Sequence, residues 1–246
     1  MNARPPLLSV QSLTLRAAGR DLVRDLDWQV APGQRWCVIG RNAAGKSTLL
    51  RALAGVGDVG VAQHGRIAWQ GRPQREWSAL DAAALRAFMP QHTVDRFPIT
   101  VARLLELSIV RPRHDARTVL GALDLAALAE RAVLELSGGE RQRVALAQCL
   151  LQGAPLMLLD EPVAFQDPAH QASVARWLTA VLAADQALLI SAHDVNWIAR
   201  TATHVLALLP GGACEQGPAA ALLDGALLER VYGCPWRAVG GVWIAD

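Results

Sequence analysis

Lysine is nearly missing from this chain. Of the 24 lysines and arginines among 246 residues, 23 are arginine, and the one lysine is Lys46. A codon bias toward arginine explains the scarcity but not the place of the exception. Long apolar runs are missing too. Segments such as HVLALLP, residues 204–210, fall far short of the ~20 residues that a membrane-crossing helix needs. The opening MNARPPLLSV lacks the apolar core of a secretory signal, so the chain is expected to be soluble. Cys37, Cys149, Cys214 and Cys234 form no C-x-x-C pair. That speaks against a zinc clasp or redox motif and for reduced thiols in the cytosol. A net charge of +2 gives no basic surface for nucleic acid or for an anionic membrane. The densest arginine cluster, RPRHDAR over 111–117, reads as a solvated turn.

What is present is the composition of a globular chain. Hydrophobic residues make up 52% and charged residues 19%, enough to bury the core of one large domain. Eight tryptophans leave room for a greasy contact surface. Leu13 and Leu15, then Leu26, Trp28 and Val30, alternate like short strands with one buried face, and AAGR and APGQ punctuate them as turns. RIAWQGR, 66–72, reads as a further strand entering a turn. WCVI (36–39), LMLL (156–159) and ALLIS (187–191) are continuous apolar runs, the mark of parallel strands buried on both faces. Between about Thr100 and Cys149 only helical periodicity appears, in TVARLLELSIV, ARTVLGALDLAALAERAV and GERQRVALAQCLLQG.

GRNAAGKS, Gly40 to Ser47, fits G-x-x-x-x-G-K-[ST] and directly follows WCVI. A strand, a glycine turn and a helix start gather backbone N–H groups around a phosphate, with the helix dipole behind them. Gly40, Asn42, Ala44, Gly45, Lys46, Ser47 and Thr48 are the candidate phosphate-binding residues. Lys46 reaches β- and γ-phosphates as a compact point charge, a role that arginine's planar fork fills poorly. That is why the one lysine stands here. Ser47 would ligate Mg²⁺ through its hydroxyl. PLMLLDEP, 155–162, ends a buried strand on two carboxylates. Asp160 would hold Mg²⁺ and Glu161 would act as general base toward water. In LSGGERQRVALAQ, Ser137 and Glu140 form an S-x-x-E capping box. Gly138 and Gly139 leave the first N–H groups of that helix uncovered, a second anion site. The expected fold is α/β: a P-loop NTPase core with a mixed sheet, an N-terminal antiparallel β section and an inserted α-helical subdomain. Residues 1–91 and 155–246 would form the core and 92–154 the helical part of one domain.

The order of phosphate loop, LSGGE and LMLLDEP resembles the nucleotide-binding subunit of an ATP-binding cassette (ABC) transporter, over nearly the whole chain. The resemblance implies ATP and Mg²⁺ as cofactors. It also implies roles by position. Gln91 in FMPQ matches a glutamine that senses Mg²⁺ and the attacking water. Asp167 in AFQDP matches an aspartate of a loop crossing the dimer interface, and His193 in ISAHD a histidine on the γ-phosphate. Glu161, His193, Gln91 and Lys46 are then the catalytic set, and Ser47, Gln91 and Asp160 the metal set. Two copies are expected to pair head to tail. Each ATP would lie between one phosphate loop and the other copy's Ser137, Gly138 and Gly139. Closing and opening of that homodimer would drive integral-membrane permease subunits from the cytoplasmic face of the inner membrane. A periplasmic or surface substrate-binding protein would be an indirect partner.

The chain departs from the family pattern in places. Arg41 and Ala43 replace the proline and glycine of the usual GPNGAGKST, and a positive φ at Ala43 would strain the loop. LTLRAAGR has no aromatic residue to stack on adenine, which makes Arg16 the candidate for stacking. Phe165 and Gln166 are uncommon before the interface aspartate. FPITV (97–101) and ALLERVYGCPW (226–236) resemble segments of importers for iron–siderophore, haem or cobalamin, although LSIVRP departs from them. FPITV equally reads as a helix start capped by Thr100. The expected function is the ATPase of a metal-chelate importer. A soluble ABC-type mechanical ATPase and an exporter's ATPase subunit are the alternatives.

Overall fold

The computed structural model describes residues 5–92, 98–164 and 166–246, so Phe97 and Phe165 lie outside the described residues. The chain opens with two long antiparallel strands, β1 (Leu8–Ala17) and β2 (Arg20–Val30). They are longer than the alternation suggested. Ser12 and Asp25 take φ of 45° and 47°, and the β1–β2 register shifts around them. Each bulge resets the in–out alternation, so one long strand reads as two short ones.

Strand β3 (Arg35–Ile39) leads through the glycine loop into α1 (Lys46–Ala54). β4 (Val61–Trp69) returns to the free edge of β1, and β5 (Arg72–Pro73) adds to it, giving an antiparallel sheet in the order β2-β1-β4-β5. Helix α2 (Ala79–Leu85), capped by the Ser78 hydroxyl, precedes the short β6 (Arg86–Met89). Three helices follow: α3 (Val101–Leu107), α4 (Ala116–Ala122) and α5 (Gly138–Gln152), capped by Thr100, Asp115 and Ser137. Among the described residues between β6 and α5 no strand forms, only one isolated bridge from Thr100 to Ala132.

The stretch 116–133 reads as one helix in sequence but breaks after Ala122, where Asp124 takes φ of 51° and short 3-10 turns follow. Leu123 and Leu125 are both buried in the cluster around α5. Two residues apart on a helix they would point in different directions, so one core can hold both only if the helix ends.

The chain then alternates: β7 (Leu156–Asp160), α6 (Pro168–Val181), β8 (Ala187–Ser191), α7 (Val195–Thr201), β9 (His204–Leu208) and β10 (Cys214–Pro218). Helices α8 (Ala219–Leu222) and α9 (Gly225–Tyr232) and a hairpin of β11 (Trp236–Val239) and β12 (Val242–Ala245) end it. The central sheet runs β10-β9-β3-β8-β7-β6. It is parallel throughout except for antiparallel β10 at one edge. β7 and β8 are buried at every position, as continuous apolar runs require. One core cluster fills the space between this sheet and α5–α7. The other joins it to α1 and the antiparallel sheet. The α/β class, with one antiparallel and one mixed sheet, is therefore as expected. The four-residue β6 and the C-terminal hairpin were not legible as strands. The C-terminal ends of β3, β6, β7 and β8 lie along one edge of the sheet, where open α/β sheets present their ligand sites.

Candidate active site

The glycine loop between β3 and α1 is held by contacts its sequence makes necessary. Gly45 sits at the helix start with φ of 104°, and a Cβ there would lie 2.8 Å from Leu22 Cβ. Both facts demand glycine. Ala43 also takes a positive φ, 60°, which costs an L-residue roughly 1–2 kcal/mol. The family glycine it replaces would fit there without strain. No side chain caps α1, so its first N–H groups stay available to an anion. Lys46 is buried and donates from Nζ to the carbonyls of Gly40 (2.9 Å) and Arg41 (3.1 Å), which leaves one ammonium proton free. Burial pulls its pKa below the ordinary lysine value, against the opposing pull of Glu161 and Asp160.

Two carboxylates close the same edge from β7. Asp160 is fully buried; its Oδ1 accepts a 2.5 Å bond from Ser191 Oγ, and its Oδ2 has no partner. A buried carboxylate oxygen without a donor is costly unless a cation answers it. With the Ser47 hydroxyl and the Gln91 amide, the donor set is all oxygen and fits Mg²⁺.

Glu161 adopts φ of 51°, backbone strain of the kind that persists only where the surroundings enforce it. Here they do. Its N–H donates to Ser191 Oγ at 2.9 Å, and its carbonyl accepts from Gln142 Nε2 at 2.5 Å. Its carboxylate lies 2.5 Å from His193 Nε2 at Oε1 and accepts from Gln91 Nε2 at 3.0 Å at Oε2. Ser191 and Gln142 belong to this network but were not among the sequence candidates; Gln142 lies within LSGGERQRVALAQ, which was read only for its capping box and its glycines. The only local sign of Ser191 is a hydroxyl closing the apolar run ALLIS.

The cleft between these groups has a volume of about 740 Å³. Residues 42–48 form its floor, Gln91, Glu161 and His193 one wall, and Ala17, Ala18 and Arg20 the other. A larger hollow of about 900 Å³ lies over the antiparallel sheet near Gln11, Arg66 and Arg75, with no phosphate-loop residue in its lining. Donor chemistry, not size, marks the site. Arg16 is exposed and pairs with Asp21, 3.0 Å from Nε to Oδ1. It faces a neighbouring cleft with Arg41, whereas Arg20 borders both clefts.

The second candidate anion site, at the start of α5, lies outside the phosphate-loop cleft, although Gly138 lines a smaller neighbouring hollow with Gln91. Ser137 Oγ accepts from the Glu140 N–H at 3.3 Å, and Glu140 Oε2 accepts from the Ser137 N–H at 2.7 Å, completing the capping box. That backbone bond holds the Glu140 carboxyl below the usual range. A Cβ at Gly138 would meet nothing within 4 Å. Ser137, Gly138 and Gly139 do not line the phosphate cleft of their own chain. Asp167 is exposed and caps α6 through the His170 N–H, the largest cause of its lowered pKa; its Oδ2 lies 2.7 Å from His170 Nδ1.

Comparison with known proteins follows the same lines. The family model described as "ABC transporter" matches residues 23–164. The chain is 36% identical to a hemin import ATP-binding protein, HmuV, of Rhodococcus jostii, over 96% of this chain and 85% of that protein. It is 39% identical to its namesake in Nocardia farcinica, over 91% and 84%. Among solved structures, it superposes with a TM-score of 0.75 on a transporter described as of the metal-chelate ABC type, in an inward-facing conformation. That match has 23% identity and covers 98% of this chain and 96% of the other, which shows a shared fold.

Proposed function

Because the chain belongs to the ABC transporter family, we propose that this ATP-binding and ATP-hydrolysing subunit powers haem import as a head-to-tail dimer beneath membrane permease subunits. One observation carries the proposal. The phosphate loop, Glu161, Gln91 and His193 share a cleft that Ser137, Gly138 and Gly139 do not line. A second copy turned head to tail would supply those residues to the first copy's nucleotide.

The residues divide the work by their chemistry. Lys46 and the N–H groups of the loop hold the β- and γ-phosphates, and these fixed donors favour the charge of the transition state. Asp160 Oδ2, Ser47 and Gln91 would hold Mg²⁺, which neutralises phosphate charge when bound. Glu161 takes the proton of the attacking water, held in position by His193 and Gln91. Asp167, exposed at the start of α6, would face the partner copy. Closing the dimer excludes water from these groups, and loss of the γ-phosphate removes what holds it shut.

Haem as cargo is supported by relatives whose names specify hemin import. No helix among the described residues is long and apolar enough to cross a membrane. In this reading the permease subunits carry the cargo. Leu107, Ile109 and Val110 are exposed beside a groove lined by Phe88, Met89 and Cys149, a surface suited to an apolar permease segment. The test is reconstitution with the permease in liposomes. ATP-dependent uptake of haem, with none of cobalamin or ferric siderophore, supports the reading. Uptake of another chelate in place of haem overturns it.

A further inference from the structure

The segment that follows the proposed general base is tied at both of its ends to helix α5, whose start, LSGGE, resembles the family's signature motif and is called the signature loop. At the first end, Gln142 Nε2 donates to the Glu161 carbonyl. At the far end stands Gln166, one residue before the interface aspartate. It is buried, with 8% of its surface exposed. Its Nε2 donates to the Gly139 carbonyl at 2.9 Å, and its Oε1 accepts from Arg143 Nη1 at 3.3 Å. Its own carbonyl accepts from Gln171 Nε2 at 3.0 Å, which fixes it against α6. A largely buried amide with both ends satisfied favours one geometry, because sliding either element breaks one of its bonds. Capping alone does not need it: Ser137 and Glu140 complete the box by themselves.

We propose that Gln166 is a positioning residue that holds the signature loop, through the Gly139 carbonyl, at the angle needed to meet the partner copy's nucleotide. The inference rests on the head-to-tail reading and adds a residue to it. Gln166 does not line the phosphate-loop cleft of its own chain. It acts through Gly139, and its effect falls on dimer closure rather than on nucleotide capture by a single chain. A symmetric dimer contains the link twice, so its loss counts at both composite sites.

The experiment compares Glu161→Gln protein with the double variants carrying Gln166→Leu or Gln166→Glu. Monomer affinity is read with trinitrophenyl-ATP, dimerisation in Mg-ATP by sedimentation, and folding by thermal midpoint. Gln166→Glu is isosteric and keeps a partner for Arg143, but it loses the donor to Gly139. It therefore stays informative if Gln166→Leu fails to fold. The expected result is nucleotide affinity within about twofold of the parent and dimerisation weakened by about tenfold or more in each folded double variant. Parent-like dimerisation by Gln166→Glu overturns the proposal. So does an equal loss of nucleotide affinity and dimerisation. A Glu161→Gln parent that stays monomeric instead refutes the head-to-tail reading itself, before Gln166 is at issue, and the inference falls with it.

Discussion

His193 Nε2 lies 2.5 Å from Glu161 Oε1, while Gln91 occupies the other oxygen of the same carboxylate at 3.0 Å. The Glu161 carboxylate is thus held from two loops, at the ends of β6 and β8, and its orientation depends on both. His193→Ala frees one oxygen without touching the phosphate loop. Steady-state kinetics should show kcat falling by about 10²-fold or more, the lower range for a positioned proton-transfer group, with KM for ATP little changed. A rise in KM at constant kcat would place His193 in ground-state binding only.

Ala43 holds φ of 60° in an exposed turn. Ala43→Gly should relieve the left-handed strain at a modest entropic cost to the unfolded chain. The expected gain is about 0.5–1 kcal/mol in urea unfolding. A loss of stability would mean that the alanine methyl contributes packing that offsets the strain.

Arg20 and Arg16 make a paired test. Arg16 is engaged by Asp21, whereas Arg20 borders the phosphate cleft. Arg20→Ala should weaken ATP binding more than it weakens tripolyphosphate binding, since a guanidinium near a base acts by stacking. Arg16→Ala should leave both within about twofold. The reverse ranking, read by calorimetry, would return the stacking role to Arg16.

Acid should weaken the signature cap. The Glu140 pKa is lowered in the folded protein by the Ser137 N–H. A lowered folded-state pKa means that the carboxylate form is favoured by folding. Its contribution is fully present above the unfolded glutamate pKa of about 4.3 and is lost as pH falls through the lowered value. The stability difference between wild type and Glu140→Gln should be constant near neutrality and shrink below about pH 4. A difference that grows on acidification would contradict this sign.

The phosphate loop was legible because its chemistry is local. A strand, two glycines, a lysine and a helix start dictate where backbone donors point, and a dozen residues contain all of it. Asp160 and Glu161 were legible for a similar reason, as acids ending a buried strand. Gln91 and His193 carry no such local cause, and resemblance to a family supplied them. Ser191 and Gln142 were missed. Each reaches Glu161 from another element, about 30 and 20 residues away in sequence, and nothing local marks either as a partner. Arg20 was not singled out: the turn that pairs Ala17 with Arg20 brings it to the rim of the phosphate-loop cleft, and nothing in LTLRAAGR marks which of its two arginines borders that cleft. Gln166 stood out only as an uncommon residue; its bonds to Gly139 and Arg143 give it a physical reason.

The central claim is that two chains share each nucleotide. Sedimentation of the Glu161→Gln protein with and without Mg-ATP tests it most directly, because that variant keeps the phosphate and cation ligands and lacks the base. The account predicts a monomer without nucleotide and a dimer with Mg-ATP, abolished by Ser137→Arg in the signature loop. A protein that binds ATP at full occupancy and sediments as a monomer would contradict it.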